Sequence, residues 1–322
     1  MADHAVDDGD IFVYRGGQAP RHVIHVLIDR SLDEIEDRAF KDCRRLVQVD
    51  THDGLRKIGM RAFLNCISLR RINLKSVVEI EENAFYNCEN LADVEFGNRL
   101  ETIGDSGFGW TSLTHLKLPS IITIGGCVFW MCEKITDIEL SERLETIKRR
   151  AFCNCERLQR IAIPLKRNLF VFSENEERYT QFNGCEQLTI VDIVGGVHKT
   201  ITSLHMESWR AEMLAEINRI NQVLPYTHAD DKTGEIQRWM EVVMDKMDHY
   251  KSEHCRYVRE GITLLELALW KAKLLDENDE DSSVVGQKKK AKVDSESPRK
   301  EKRITCGADM VIKNVLPLLK LE

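Results

Sequence analysis

The chain has 322 residues, a net charge of −7, and 43% hydrophobic and 31% charged residues, which describes a foldable, soluble chain long enough for two units. The acidic balance excludes a uniformly cationic nucleic-acid binder. No apolar run approaches the roughly 18 residues that a membrane span needs.

The chain opens on the acidic, polar stretch Met1–Asp10, without the basic start and apolar run of a secretory or transit peptide. The expectation is a flexible N-terminus over residues 1–21 and an intracellular protein, cytoplasmic and/or nuclear, in a reducing compartment. Val23–Ile28 reads as an opening strand. Self-similarity then dominates. Phe follows a small residue in Ala39-Phe40, Ala62-Phe63, Ala84-Phe85, Gly107-Phe108, Val128-Phe129 and Ala151-Phe152, at spacings of 23, 22, 23, 21 and 23 residues. Three residues after each Phe stands Cys43, Cys66, Cys88, Cys132 or Cys155, with Thr111 the one substitution. An apolar triplet follows, as in Leu69-Ile72-Leu74, Leu91-Val94-Phe96 and Leu113-Leu116-Leu118, and an apolar pair such as Val77/Ile80 precedes the next Phe. A degenerate copy carries Phe182, Cys185, Leu188, Val191 and Ile193.

A unit of this size cannot bury its own apolar face, so stacked units share one core. The period near 22 falls in the leucine-rich-repeat range. The pattern Leu-x-x-Ile, then Ala-Phe-x-x-Cys-x-x-Leu-x-x-Ile-x-Leu, resembles the surface-antigen type (BspA-like) leucine-rich repeats over residues 22–200. With its helical extension the whole chain looks like the intracellular set found in diatoms and other algae. The resemblance implies an α+β repeat fold: a leucine-rich-repeat solenoid of seven or eight coils, built as a parallel strand ladder, followed by an α-helical C-terminal region. Bacterial members of the family are secreted adhesins; without a leader peptide, adhesion does not carry over.

The repeated cysteines are expected to be free structural thiols, small hydrophobes filling a tight turn. Cys153-Asn154-Cys155 lacks zinc-site spacing. Alternate strand residues face away from the core, which gives the exposed pairs Gln48/Asp50, Arg71/Asn73, Asp93/Glu95, His115/Lys117, Asp137/Glu139, Arg160/Ala162 and Ile190/Asp192. The sign alternates from the second pair to the sixth. Two readings are compatible: cross-strand pairing that sets register, and a concave, mixed-charge surface for a protein partner. The partner-binding candidates are Arg71, Asp93, Glu95, His115, Lys117, Asp137, Glu139 and Arg160. The stripe lacks the unbroken basic track that phosphate backbones require, which makes nucleic acid an unfavoured partner.

Past Gly195-Gly196 the period changes. Thr202 or Ser203 is placed to cap a helix over about 204–224, ended by Pro225. A second helix runs from after Asp230/Asp231 towards Tyr257, and Gly261 separates it from a third over 262–275. That third helix, rich in Leu264, Leu265, Leu267, Leu269 and Trp270, is either largely buried or an exposed docking patch. Residues 201–275 read as a helical cap on the open solenoid end or as a partner-binding element. Residues 276–303 form a charged linker too polar to fold. Its clusters Lys288, Lys289, Lys290, Lys292 and Arg299, Lys300, Lys302, Arg303 resemble a nuclear import signal or contact nucleic acid, with Ser297-Pro298 between them a phosphorylation candidate. Residues 304–322 are a short apolar segment.

No catalytic constellation appears. Gly16-Gly17, Gly125-Gly126 and Gly195-Gly196 are isolated pairs, and His249 and His254 lack zinc-protease spacing. The sequence therefore predicts a non-catalytic protein-interaction scaffold, with no metal or cofactor. The alternative is a nuclear factor acting through 288–303. Partner identity and oligomeric state are not encoded in any motif.

Overall fold

The computed structural model describes residues 11–171, 180–195 and 206–281, with side chains to 271. The chain divides into two units, Met1–Tyr257 and Val258–Glu322. In the first, each coil lays one strand on one face and a two-residue strand on the opposite face. On the first face stand β1 (Phe12–Tyr14), β2 (His25–Ile28), β4 (Gln48–Asp50), β6 (Arg71–Leu74) and β8 (Asp93–Phe96). Then come β10 (His115–Lys117), β12 (Asp137–Glu139), β14 (Arg160–Ile163) and β15 (Ile190–Ile193). On the opposite face stand β3 (Glu34–Ile35), β5 (Lys57–Ile58), β7 (Glu79–Ile80), β9 (Thr102–Ile103), β11 (Thr123–Ile124) and β13 (Thr146–Ile147). Pairing is parallel throughout, as in Arg71↔Asp93 and Asp137↔Arg160. Among the described residues six coils are complete, against the seven or eight expected. After β14 the opposite face continues, among those residues, as a bridge between Ile147 and Phe170.

Three side-chain ladders follow from this stacking. The phenylalanines are fully buried and stack nearly parallel, with centroids 5.0 Å apart for Phe40–Phe63 and Phe63–Phe85, and 4.9 Å for Phe85–Phe108. That distance is close to the strand spacing of about 4.8 Å. Tyr14 extends the row, 4.8 Å from Phe40. The expectation of a flexible N-terminus to residue 21 is thus corrected: β1 pairs with β2 because buried Tyr14 covers the first Phe. The thiols do more than fill space. Cys66, Cys88, Cys132, Cys155 and Cys185 donate to the carbonyls of Phe40, Phe63, Phe108, Phe129 and Phe152, one coil back, at 3.0–3.2 Å. None of the nine cysteines among the described residues is in a disulfide. In a third row Asn65 Nδ2 donates to Asp42 Oδ1 (2.8 Å) and Asn87 Nδ2 to Asn65 Oδ1 (3.0 Å). These residues sit at φ near +61°, a left-handed conformation that Asn and Asp tolerate. Trp110 and Met131 occupy the next two positions at φ +58°; Trp110 interrupts the row, and Met131 accepts the Asn154 Nδ2 hydrogen on its thioether sulfur (3.1 Å).

The first face is not one sheet. Five strands end at β8 and four more begin at β10, while the opposite face is a continuous six-stranded sheet. The cause is local. Thr111 stands two residues before Leu113, whereas each repeat cysteine stands three before its Leu or Ile. The Phe turn keeps its inter-coil bonds, Phe108 N to Val128 O and Trp110 N to Trp130 O (both 2.9 Å). The shortened exit then carries β10 away from β8.

Helix α1 (Glu207–Val223) and the first turns of α2 (Lys232–Asp281) cover the last coil. Met213, Ile217, Ile220, Leu224, Ile236 and Trp239 join the solenoid core. Val191 N donates to Asn221 Oδ1 (2.8 Å) and Phe182 N to Thr233 Oγ1 (3.0 Å). Lys232 is buried, and its three ammonium donors take the carbonyls of Cys185, Glu186 and Leu188 at 2.7–3.0 Å, which satisfies the cation without a carboxylate. Burial pulls its pKa down. Two sequence expectations are corrected. Helix α1 starts at Glu207 with Met206 as N-cap and no side-chain cap bond; Thr202 and Ser203 lie outside the described residues. Gly261 does not divide α2, which runs unbroken to Asp281, beyond the expected end at 275, because one interior Gly costs a helix only about 1 kcal/mol.

Two predictions follow from the ladders. Burial raises Cys132 from 9.0 to about 11 and Cys43 to about 12. A raised folded pKa gives stability that is complete below pH 9 and lost as pH climbs through 11, because only the unfolded chain releases the proton. The loss is about 2 kcal/mol for one fully buried thiol by pH 10.5. Urea unfolding at pH 8 and pH 10.5 checks this: Cys132→Ala should shrink the difference between the two by about that amount. Met131→Asn should raise stability by about 1 kcal/mol, by replacing a bulky left-handed residue and by giving Asn154 Nδ2 a carboxamide oxygen in place of the Met131 Sδ that it meets at 3.1 Å. Thermal unfolding reads the gain; a lower Tm would show that the Met131 side chain contributes more than the strain costs.

Candidate protein-interaction face

The strand face carries the exposed residues read from the sequence, and neighbouring rows pair by charge. Arg71 reaches Asp93 and Glu95 (both 3.4 Å), and Lys75 holds Glu95 at 2.5 Å. Lys117 meets Glu139 at 3.1 Å. Arg160 bridges Asp137 (3.1 Å) and Asp192 (2.6 Å). Hydrogen bonds and the positive charge of Lys75 and Arg71 hold the Glu95 carboxyl below its usual range. Across β12, β14 and β15 the guanidinium lies half-buried between two carboxylates, and its bonds to them outweigh desolvation and push its pKa up. His115 is exposed and its Nδ1 lies 3.3 Å from Thr136 Oγ1.

Two expectations fail on this face. Ala162 is buried at 3% exposure: its methyl, flanked in register by Glu139 and Asp192, is too short to reach past them. The alternating charges also do not run unbroken from Arg71 to Arg160, because β8 and β10 are not neighbours. The Asp93/Glu95 and His115/Lys117 rows therefore belong to separate sheets.

Two hollows open on the face. One of about 330 Å³ is lined by Glu139, Arg160, Ala162, Asp192, Ile193 and Gly195. The other, of about 410 Å³, lies at the break between the sheets and is lined by Lys75, Phe96, Gly97, Asn98, Lys117 and Pro119. There the core is uncovered: Val94 and Phe96 are part-exposed, although their counterparts Ile72, Leu74, Leu116 and Leu118 are buried. Phe96 rests edge-on against Phe108, 5.6 Å away. Gly97 is required here because a Cβ would fall 1.8 Å from the Lys75 carbonyl oxygen. The sequence reading missed this hollow; its signal is the short Thr111–Leu113 spacing together with Phe96 in a Leu slot.

A second missed feature sits on the Phe turns. Trp130 lies 5.9 Å edge-on from Trp110 and 6.5 Å from Tyr86, with Gly109 on the coil between. A side chain at 109 would strike Tyr86 at 2.9 Å. Further along, Leu264, Leu265, Leu267, Leu269 and Trp270 are all exposed among the described residues, Trp270 at 72%. The basic residues Lys288, Lys289, Lys290, Lys292, Arg299, Lys300, Lys302 and Arg303 lie outside the described residues. Among the described residues no group of three His, Cys, Asp or Glu is placed to hold a metal ion, and no helix is long and apolar enough to cross a membrane.

The family model for the BspA type leucine rich repeat region matches in six copies over residues 22–133 and 101–223, more than half of the chain. A leucine rich repeat protein of T. pallidum, known as a crystal structure, is 28% identical over 55% of this chain and 82% of its own, with a TM-score of 0.45. A leucine-rich repeat protein of Bacteroides ovatus is 22% identical over 55% of this chain and 48% of its own, with a TM-score of 0.38. The pneumococcal vaccine antigen PcpA is 19% identical over 56% of this chain and 65% of its own, with a TM-score of 0.30. No curated protein matches the chain. The match spans the residues that carry the Phe, Cys and Leu ladders, and the chain belongs to the BspA type leucine rich repeat family.

Proposed function

We propose that the chain is a non-catalytic scaffold that binds a protein partner through the strand face. The carrying observation is the row of pre-formed ion pairs, Arg71 with Asp93 and Glu95, Lys117 with Glu139, and Arg160 with Asp137 and Asp192. These side chains project from strands fixed by pairing on both sides of β6, β12 and β14. A partner meets charges already held in place, so little ordering entropy is lost on binding. Their mixed signs favour one complementary pattern and reject others. Exposed pairs of this kind contribute little to folding, of order 0–1 kcal/mol each, so their arrangement is free to serve recognition.

The test is a charge swap that keeps the internal pairs: Asp137→Arg, Arg160→Asp and Asp192→Arg together. Proteins captured by the full-length wild type are purified and titrated against both forms. Stability should change by no more than about 1 kcal/mol, while affinity for a true partner should fall at least about tenfold. If every captured protein binds the swapped chain with undiminished affinity, the pairs serve register alone.

A further inference from the structure

The break between β8 and β10 leaves two strand edges open in the middle of the face that the proposed function assigns to partner binding. Unpaired edges are usually blunted by proline, bulges or a covering segment. Among the described residues, no backbone bond joins 93–97 to 113–118. Beside the open edge of β8 the core is uncovered at Val94 and Phe96. The rims of the 410 Å³ hollow carry Lys75 and Lys117, which are 62% and 69% exposed and have one carboxylate contact each, to Glu95 and Glu139. An ammonium has three donors, so both retain hydrogens for an incoming acceptor.

Resting on the reading of the strand face as a binding surface, we infer that this break is a slot for an extended peptide segment of a partner protein. The segment pairs its backbone with the open edge of β8, seats one apolar side chain on Phe96, and places acidic side chains against Lys75 and Lys117. The open edge selects an extended conformation, because only a strand can use its N–H and C=O groups in sequence. The part-exposed Phe96 selects an apolar anchor, and the lysines select acidic flanks. The shortened Thr111–Leu113 turn creates the slot, so restoring its length should close it.

The probe is a fluorescent nine-residue peptide of alternating valine and glutamate with phenylalanine at its centre, titrated against the full chain. A second peptide of the same sequence is N-methylated at alternate backbone nitrogens. Saturable binding is expected, weakened at least about tenfold by N-methylation and by Lys75→Glu with Lys117→Glu. It should be lost when one Ala is inserted between Thr111 and Ser112. Hydrogen exchange at 93–97 should slow only with the unmethylated peptide. Should the insertion fail to fold, Phe96→Leu, which restores the ladder residue, and the lysine pair carry the comparison. Equal binding of the methylated peptide, undiminished binding to the insertion or lysine variants, or no binding up to about 1 mM would each overturn the slot. A concentration-dependent dimer that the peptide fails to dissociate would assign the edges to a second copy and overturn it too. The Asp137/Arg160/Asp192 swap changes none of the residues that line the slot, so peptide binding that survives it separates this inference from the wider reading of the face.

Discussion

Parallel backbone pairing at about 4.8 Å per coil is the constraint on which everything else in the solenoid rests. At that pitch a side chain meets its own copy above and below, so only residues that interact well with themselves, or with an alternating partner, can repeat. Phenylalanines satisfy this by stacking at 4.9–5.0 Å, thiols by donating one coil back, and asparagines by passing an amide hydrogen to the next side chain. Charges cannot repeat with one sign, since like charges directly opposite destabilise a sheet. Alternation of Arg71 with Asp93, of Lys117 with Glu139, and of Asp137 with Arg160 and Asp192 is the charged version of the same rule.

The rule also explains why one missing residue splits only one face. Each coil is held at the strand, the short opposite strand and the Phe turn. In the coil of Phe108 the opposite strand still pairs, Thr102 with Thr123, and the Phe turn keeps its bonds to the next coil. The deficit falls between Thr111 and Leu113 and is absorbed by the strand that follows. The aromatic row is wider from this step on: 5.9, 5.6 and 5.4 Å from Phe108 to Phe182, after 4.9 Å on the preceding step. A strand displaced at one junction need not disturb the rest, because in a solenoid each repeat answers chiefly to its neighbours.

Much of this was legible in the sequence because the repeat is carried by residue identity. Phe, Cys and the Leu/Ile triplets mark the coils, and period-two alternation marks the exposed charges. What escaped needs direction or context. Tyr14 begins the aromatic row without the flanking Ala and Cys, so β1 carried no signature. The thiol bonds depend on where each Sγ points, which a spacing cannot show. Gly261 read as a break because a glycine punctuates a pattern, yet the helix tolerates it. Ala162 followed the alternation correctly and is buried only because its in-register neighbours are longer. The 21-residue interval before Phe129 was visible as a number; its meaning lies in which segment is short, and that required comparing Thr111–Leu113 with each Cys–Leu or Cys–Ile spacing.

Trp110 and Met131 break a local rule next to the place where the sheet divides. Their left-handed positions hold Asp42, Asn65, Asn87, Asn154 and Gly184 in other coils, residue types that enter this conformation at low cost, whereas a bulky side chain gives up about 1–2 kcal/mol. Neither recovers that by full burial, since Trp110 is 38% exposed and Met131 is part-exposed. In a sequence otherwise consistent from coil to coil, neighbouring departures that lower stability mark positions held for something other than stacking. The fold can carry them because the cost stays at one or two junctions, while the phenylalanine ladder continues through the same coils and Cys132 still donates to the Phe108 carbonyl at 3.1 Å. Repetition supplies the stability, and the places where it lapses, at Thr111, Phe96 and Trp110, are where the chain presents chemistry that its other coils do not.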